Sequence, residues 1–419
     1  MRAFWHESGW GGGAMKRLLA LAVVLAAGRA SGAALPGFGV RFLGASAGFT
    51  SSLAVDSRGI LYYSTTKGDI FRLDDDGQSV PVAHVVTDAN GNSGLLGMAL
   101  RDDHTAVVHY TTPRQVADVI SVIDLDSGGE TMVHAFTADI EVASRGSSPE
   151  HHGGNPIVAP DGSIFVGIGD YGGWIIAALP EWNGGKIWRL FPDGSVQQFA
   201  RGFRNPFDVA WDAAKQRLIV PDNGELADDE INLVHAGDDC GWPRTVGNGP
   251  AVTGTVAPAY VFPTVVAPTG IVALGGHNSL LRHGYLLSAF VAKAVYYIDD
   301  IDHPAPIAVV QGETGPIIDV TEGANGELYF CTGGAIYQLV VPQRGDANGD
   351  GRVDYADIEL LTKELADAGG SEPMTNAQNG AVVASWGSDV NGDGVIDKAD
   401  LAALFAIVHP RVRASRPGH

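Results

Sequence analysis

One strand-turn-strand template recurs along most of this chain, and a recurring unit constrains a fold more tightly than any single element. Three copies are plain: Leu53-Ala-Val-Asp-Ser-Arg-Gly-Ile-Leu-Tyr-Tyr63 leading to Asp69-Ile-Phe-Arg-Leu73, Ile157-Val-Ala-Pro-Asp-Gly-Ser-Ile-Phe-Val166 leading to Lys186-Ile-Trp-Arg-Leu190, and Ile318-Asp-Val-Thr-Glu-Gly-Ala-Asn-Gly-Glu-Leu-Tyr-Phe330 leading to Ala335-Ile-Tyr-Gln-Leu339. A fourth, weaker copy runs from Asp208-Val-Ala-Trp211 to Leu218-Ile-Val220. Short β-branched and aromatic runs bounded by Gly, Asp and Pro, with almost no helical periodicity before residue 345, specify an all-β region. A unit of this size buries its apolar faces only by stacking on copies of itself. Residues 35–341 divide into about six units of propeller-blade length, and a closed ring leaves only short, protected strand edges. The expected architecture is therefore a six-bladed β-propeller. A β-sandwich with long insertions is the alternative, and it leaves the template unexplained.

After Val341 the pattern changes. Pro342-Gln-Arg-Gly345 reads as a polar linker, and Asp357–Leu365 and Lys398–Ile407 have helical spacing, so residues 346–410 form a separate small module. It contains two acidic loops, Asp346-Ala-Asn-Gly-Asp-Gly-Arg-Val-Asp-Tyr-Ala-Asp357 and Asp389-Val-Asn-Gly-Asp-Gly-Val-Ile-Asp-Lys-Ala-Asp400. Each places oxygen donors at loop positions 1, 3, 5 and 12: Asp346, Asn348, Asp350 and Asp357 in the first, and Asp389, Asn391, Asp393 and Asp400 in the second. Calcium takes 6–8 oxygens at about 2.3–2.6 Å, and a chain can surround it only by turning sharply at position 6, here Gly351 and Gly394. The carbonyls of Arg352 and Val395 supply position 7, while Asp354 and Asp397 at position 9 act through water. A single such loop could be a solvated acidic turn; two in tandem, each followed by an apolar helix, bind two calcium ions.

The formal charge is −21 over 419 residues, which disfavours nucleic acid and anionic membrane as partners, and the 45% apolar content is ample for a core. Met15-Lys16-Arg17, the apolar run Leu18–Ala27 and small residues near Ala30-Ser-Gly-Ala33 have the form of a secretory signal. Translation is accordingly expected to begin at Met15, with the mature chain starting near Ala33 and the protein secreted, periplasmic or attached to the cell surface. A short membrane helix is the competing reading, but the run is only about half the length that a bilayer requires. Two cysteines, Cys240 and Cys331, are too few for a disulfide framework; they either pair or remain buried thiols.

Polar residues in the inter-strand loops carry the candidate chemistry, because loops at one mouth of a propeller converge. His151 or His152 beside glycines can serve as a general base, Asp170 can fix its tautomer, and Arg204 can hold a carboxylate or a developing oxyanion. Alternatively, the histidines are simply exposed and Arg204 joins two blades as an ion pair.

These segments, in this order, resemble the glucose/sorbosone dehydrogenase family of soluble aldose sugar dehydrogenases over residues 45–340. The shared pieces are Gly94-Leu-Leu-Gly97, His151-His-Gly-Gly154, Pro160-Asp-Gly162, Gly169-Asp170, Gly185-Lys-Ile-Trp-Arg189, Gly202-Phe-Arg-Asn-Pro206, Asp229-Glu-Ile-Asn-Leu233, Gly241-Trp-Pro243 and Ala267-Pro-Thr-Gly270. The resemblance implies a six-bladed propeller that uses pyrroloquinoline quinone and calcium to oxidise a small sugar to its lactone. In it His151 matches the base, Asp170 the carboxylate that orients the base, and Arg204 and Asn205 cofactor contacts. Gly224 and Glu225 match the carbonyls that hold the cofactor's calcium. The chain departs from the family at Pro316-Ile-Ile-Asp-Val320, where two arginines are usual, and at Phe207, where a glutamine is frequent. For the lysine expected in the fifth blade it offers only Lys293.

The C-terminal module resembles the type I dockerin over residues 345 to about 410, which implies docking onto a cohesin. The positions that select a cohesin are Tyr355-Ala356 and Lys398-Ala399, and the two faces differ. Two functions follow from these resemblances: an exported, quinone-dependent sugar dehydrogenase positioned by its dockerin, or a non-catalytic glycan- or protein-binding propeller delivered by the same module. A propeller lactonase with a central metal is a third.

Overall fold

The computed structural model describes residues 39–137, 150–174, 178–225, 227–277, 281, 283–311, 315–340, 344–347, 352–367, 374–375, 388, 390–391 and 395–409. The signal-like segment and the loop residues Asn348, Asp350, Asp389 and Asp393 lie outside them.

Each copy of the template is three strands of a four-stranded antiparallel sheet. The first blade is β2 (Thr50–Val55), β3 (Leu61–Thr65), β4 (Asp69–Leu73) and β5 (Ser79–His84). The second is β6 (Leu95–Leu100), β7 (Thr105–Thr111), β8 (Ala117–Asp124) and β9 (Glu130–Thr137). The third is β10 (Ile157–Val158), β11 (Ile164–Ile168), β12 (Lys186–Leu190) and β13 (Val196–Arg201). The fourth is β14 (Ala210–Asp212), β15 (Arg217–Asp222), β16 (Glu230–Val234) and β17 (Tyr260–Val261). The fifth is β18 (Pro268–Ala273), β19 (Tyr285–Ala289), β20 (Ala294–Ile298) and β21 (Ile307–Gln311). The last blade comprises β22 (Ile317–Glu322), β23 (Leu328–Thr332) and β24 (Ala335–Val340), and its outer strand is β1 (Gly39–Ala45) from the far end of the chain. Gly39 pairs with Val340 and Ala45 with Ala335, so the ring is closed by hydrogen bonds between its two ends. That closure pairs a strand edge that would otherwise be open.

The core is a series of clusters in the seams between blades. Ala54, Ile70, Leu95 and Val108 fill the seam between blades one and two; Phe165, Phe199, Leu218 and Val220 fill that between three and four. Phe165 stacks on Trp211 with ring centroids 5.4 Å apart, an offset aromatic contact across that seam. The first strand of every blade lies innermost, and residues of all six blades line one cavity on the axis. Because strands alternate in direction, the starts of the first strands, the connections from second to third strands and the ends of the fourth strands share one face. Every candidate catalytic loop is on that face. β24 ends at Val340 on the opposite face, so the chain leaves the propeller away from the mouth.

Beyond the propeller, α1 (Tyr355–Asp367) and α2 (Lys398–Val408) pack through Ile358, Leu361 and Leu404, joined by Ala347, Val390 and Ile396. β25 (Met374–Thr375) and β26 (Val395–Ile396) pair beside them. Cys240 and Cys331 are both buried and unpaired.

Candidate active site

His151 has φ of 58°, a left-handed conformation that is rare for a residue with a side chain. Its neighbours enforce it. Gly169 packs so closely that an added Cβ would lie 2.1 Å from the His151 carbonyl oxygen, and Tyr171 N–H donates to that same oxygen at 3.4 Å. The result turns the His151 imidazole toward Asp170, with Nδ1 2.7 Å from Oδ1. A carboxylate there accepts a hydrogen bond from Nδ1–H, which fixes that tautomer and leaves Nε2 as the basic nitrogen. The side chain is 11% exposed, so that nitrogen remains open to the mouth. Strain of this kind persists where surrounding structure over-determines it, as at many active sites.

Asp170 is held from several directions. Oδ1 also accepts from Gly172 N–H at 2.9 Å, Oδ2 accepts from the indole Nε1–H of Trp242 at 3.0 Å, and its own N–H donates to the Arg204 carbonyl at 2.8 Å. Trp242 also lies beneath Arg204, whose guanidinium carbon is 5.9 Å from the ring centroid. One indole thus ties together the carboxylate and the cation. The sequence motif contained Trp242, but nothing in the sequence assigned it this role; the aromatic N–H beside a glycine and a proline was the available signal. With the donor lost in Trp242→Phe, kcat is expected to fall by about 10- to 100-fold with little change in KM, the scale of one charge-assisted hydrogen bond of about 1.5–3 kcal/mol. Steady-state kinetics on correctly folded variant protein checks it.

His152 has a different place. It is fully buried, its Nδ1 lies 3.0 Å from Asp118, and Asp118 in turn lies against His109. Burial alone would raise the Asp118 carboxyl, but His152 and His109 hold it well below the usual carboxylate range. His152 therefore braces the loop from below, and His151 is the histidine that faces the mouth.

Arg204 donates Nη1 to the carbonyls of Asn223 and Gly224, at 3.1 and 2.8 Å. Its backbone N–H and that of Asn205 donate to the two oxygens of Asp222, at 2.9 and 2.7 Å. Asn205 Oδ1 accepts from Gly153 N–H at 3.3 Å. Asp229 organises the neighbouring loops: its Oδ1 accepts from Gly224 N–H at 2.9 Å, and its Oδ2 from Val266 and Ala267 N–H, each at 2.7 Å. The Gly224 carbonyl thus faces the site while engaged by Arg204, and Glu225 is exposed.

Burial, with Glu230 nearby, pushes Asp222 up to about 8, and burial raises Glu230 to about 7. Unfolded carboxyls titrate near 4. The folded state therefore binds more protons than the unfolded chain between about pH 4 and 8, and stability falls as pH rises through that window. Thermal melting in chelator should show a lower Tm at pH 8 than at pH 5, and Glu230→Gln should flatten that fall.

The donor set suits an anionic planar cofactor on one side. Arg204, Asn205 and the Gly224 carbonyl converge beside the His151–Asp170 pair. On the sixth blade the position is apolar: Ile317 and Ile318 are buried, and Ile318 packs with Leu53 and Cys331. Phe207 is half-buried, and Lys293 is exposed in the turn between β19 and β20, on the face of the mouth.

The chain is thus a six-bladed propeller with a histidine–carboxylate pair and an arginine at its mouth, and comparison with known proteins gives its family. Residues 52–340 match the family model for glucose/sorbosone dehydrogenase, and residues 344–408 match that for the dockerin type I domain. The chain belongs to the glucose/sorbosone dehydrogenase family and carries a C-terminal dockerin type I domain. It is 28% identical over 225 residues to quinoprotein glucose dehydrogenase B of Acinetobacter calcoaceticus, a match spanning 43% of this chain and 47% of that protein. It thus spans about half the length of that relative. An uncharacterised Synechocystis protein is 22% identical over 289 residues, 58% of this chain and 69% of its own. Among solved structures, the quinone-bound aldose sugar dehydrogenase of Streptomyces coelicolor superposes with a TM-score of 0.62 at 24% identity, covering 73% of this chain and 99% of that one. That likeness bears on the fold, which is the expected six-bladed propeller.

Proposed function

We propose that this protein is an exported aldose dehydrogenase that oxidises a small sugar to its lactone and is anchored by its dockerin module to a cohesin. The observation that carries this reading is the His151–Asp170 pair, with Nδ1 and Oδ1 2.7 Å apart, at the mouth of the propeller. Nε2 of His151 accepts the proton of the anomeric hydroxyl, and Asp170 stabilises the imidazolium that results. Arg204 and Asn205 would hold the cofactor, with calcium on the Gly224 and Glu225 carbonyls. Pyrroloquinoline quinone, when bound, supplies the hydride acceptor, and calcium polarises it.

The apolar sixth-blade position favours a second reading. Two missing charge-assisted contacts, at about 1.5–3 kcal/mol each, weaken quinone affinity by roughly 10²–10⁴ and allow a propeller that binds without turnover. Reconstitution with the quinone and calcium, followed by cofactor fluorescence titration and dye reduction across an aldose panel, separates the two. Saturable binding with turnover supports the dehydrogenase; absence of both supports the binding propeller.

Export rests on the signal-like segment, and among the described residues no helix is long and apolar enough to cross a membrane. For cohesin docking, the groove between α1 and α2 presents Thr362, Leu365, Lys398, Leu401 and Phe405, with Tyr355 exposed nearby. Because β24 ends on the face opposite the mouth, anchoring through the C-terminus is compatible with an open site.

A further inference from the structure

One position recurs on the inner strand of each blade, or two residues before it in blades three and four: Ser52, Gly97, Asn155, Asp208, Gly270 and Asp319. On four blades the pairing register skips a residue immediately before it, between Thr50 and Ser52, Leu95 and Gly97, Pro268 and Gly270, and Ile317 and Asp319. Such bulges re-aim a side chain, here toward the next blade around the axis. Ser52 Oγ accepts from Met98 N–H at 3.1 Å, Asp208 Oδ2 from Ile271 N–H at 2.7 Å, and Asp319 Oδ2 from Leu53 N–H at 2.7 Å. Asn155 Nδ2 reaches Asp208 Oδ2 at 3.3 Å. The two glycines leave the necessary room. A Cβ on Gly270 would lie 2.5 Å from Asp319 Oδ1, and one on Gly97 would lie 2.5 Å from Asn155 Oδ1.

Beside this ring the inner segments of all six blades enclose a cavity of about 240 Å³, and Asn155, Asp208 and Asp319 are the ring residues that line it. Both carboxylates are buried, at 5% and 3% exposure, and among the described residues neither forms an ion pair with a lysine, arginine or histidine. Burial pushes both above the ordinary carboxylate range, and for Asp208 the neighbouring Asp319 adds to it. Asn155 is 5% exposed, and its Oδ1 is a buried acceptor with no hydrogen-bond partner. A buried polar atom left unpaired costs about 1–3 kcal/mol, and two uncompensated buried carboxylates cost more. Backbone N–H donors satisfy part of each carboxylate but supply no positive charge.

We propose that the axial cavity is a divalent-cation site, of calcium type by its all-oxygen donors, ligated by the Asp208 and Asp319 carboxylates and Asn155 Oδ1, with water completing the shell. The ion offsets the paired negative charge, satisfies the orphan carbonyl and links blades three, four and six. The site is separate from the catalytic mouth and involves neither quinone nor sugar.

The test uses the full chain, stripped with chelator, dialysed, and titrated with calcium alone, with bound ions counted by atomic emission. Asp208→Asn/Asp319→Asn is expected to hold one calcium fewer per chain than the unsubstituted protein and to lose the calcium-dependent rise in propeller Tm. The same loss is expected in a background where Asp357→Asn and Asp400→Asn have removed the C-terminal ions. An equal ion count with and without the axial substitutions overturns the proposal and leaves the two carboxylates sharing a proton. Should the double variant fail to fold, Asn155→Ala replaces it: one site weakened by about tenfold or more supports the assignment, and unchanged affinities overturn it.

Discussion

Turnover of aldoses by quinone-loaded His151→Asn protein is expected to fall by about 10²–10⁴-fold, the usual contribution of a positioned general base. Asparagine is the informative substitution because the backbone at residue 151 has φ of 58°, and Asn enters that region more readily than most side chains. Alanine there would mix lost chemistry with backbone strain. In the proposed role Nε2 acts on the reacting hydroxyl, so the loss belongs in kcat and in kcat/KM alike, with quinone affinity little changed. The contrasting variant is His152→Asn. His152 is fully buried against Asp118, so its replacement should lower Tm while sparing most of the turnover per folded molecule. Equal activity losses from the two variants, or retention of activity by His151→Asn, would remove His151 from the role of base. Stopped-flow reduction of the loaded protein by excess aldose, read from cofactor absorbance, measures the step directly.

Four of the six blades were legible in the sequence because their first two strands meet at short turns containing Asp or Gly, as at Asp56–Gly59 and Asp161–Gly162, or at the tight Ala213–Gln216 turn. Two were not. In the second blade the turn is short and acidic, but the third strand reads Ile120-Ser-Val122 where other copies have an aromatic after isoleucine, as in Ile70-Phe-Arg72; in the fifth the hairpin from Ala273 to Tyr285 is long. Closure of the ring by β1 was invisible for a different reason: Gly39 and Val340 are far apart in the chain, and no local pattern reports a pairing at that separation. At the site, residue types placed a histidine and Asp170 in converging loops but could not choose between His151 and His152; only the family resemblance pointed to His151. That choice depends on the left-handed turn and on Gly169, a backbone matter. The axial ring was equally hidden, since it contributes one residue per blade and has meaning only once the blades close. Its aspartates looked like ordinary strand residues.

Removal of calcium is expected to unfold the C-terminal module while the propeller stays folded. Among the described residues, the module's buried apolar side chains are Ala347, Ile358, Leu361, Val390, Ile396 and Leu404. Against that stand three carboxylates with almost no exposure, Asp346, Asp357 and Asp400. Asp357 Oδ2 accepts from Asp354 N–H at 2.8 Å, and Asp400 accepts from Asn391 N–H at 3.0 Å and Asp397 N–H at 2.8 Å. These bonds draw the start of each helix onto its loop and gather carboxylate oxygens there, the donor type that calcium takes. A domain this small has little stability of its own, and metal-binding energy then becomes folding energy. At calcium a thousandfold above the dissociation constant, each ion adds about 4 kcal/mol. Chelation should therefore abolish the helical circular dichroism of α1 and α2 and open residues 344–409 to protease, and calcium should restore both. Asp357→Ala and Asp400→Ala should each raise the calcium needed for half-refolding. Helicity and protease resistance that survive chelation would show that the apolar contacts suffice, and would sink the assignment of both loops as calcium-dependent structure.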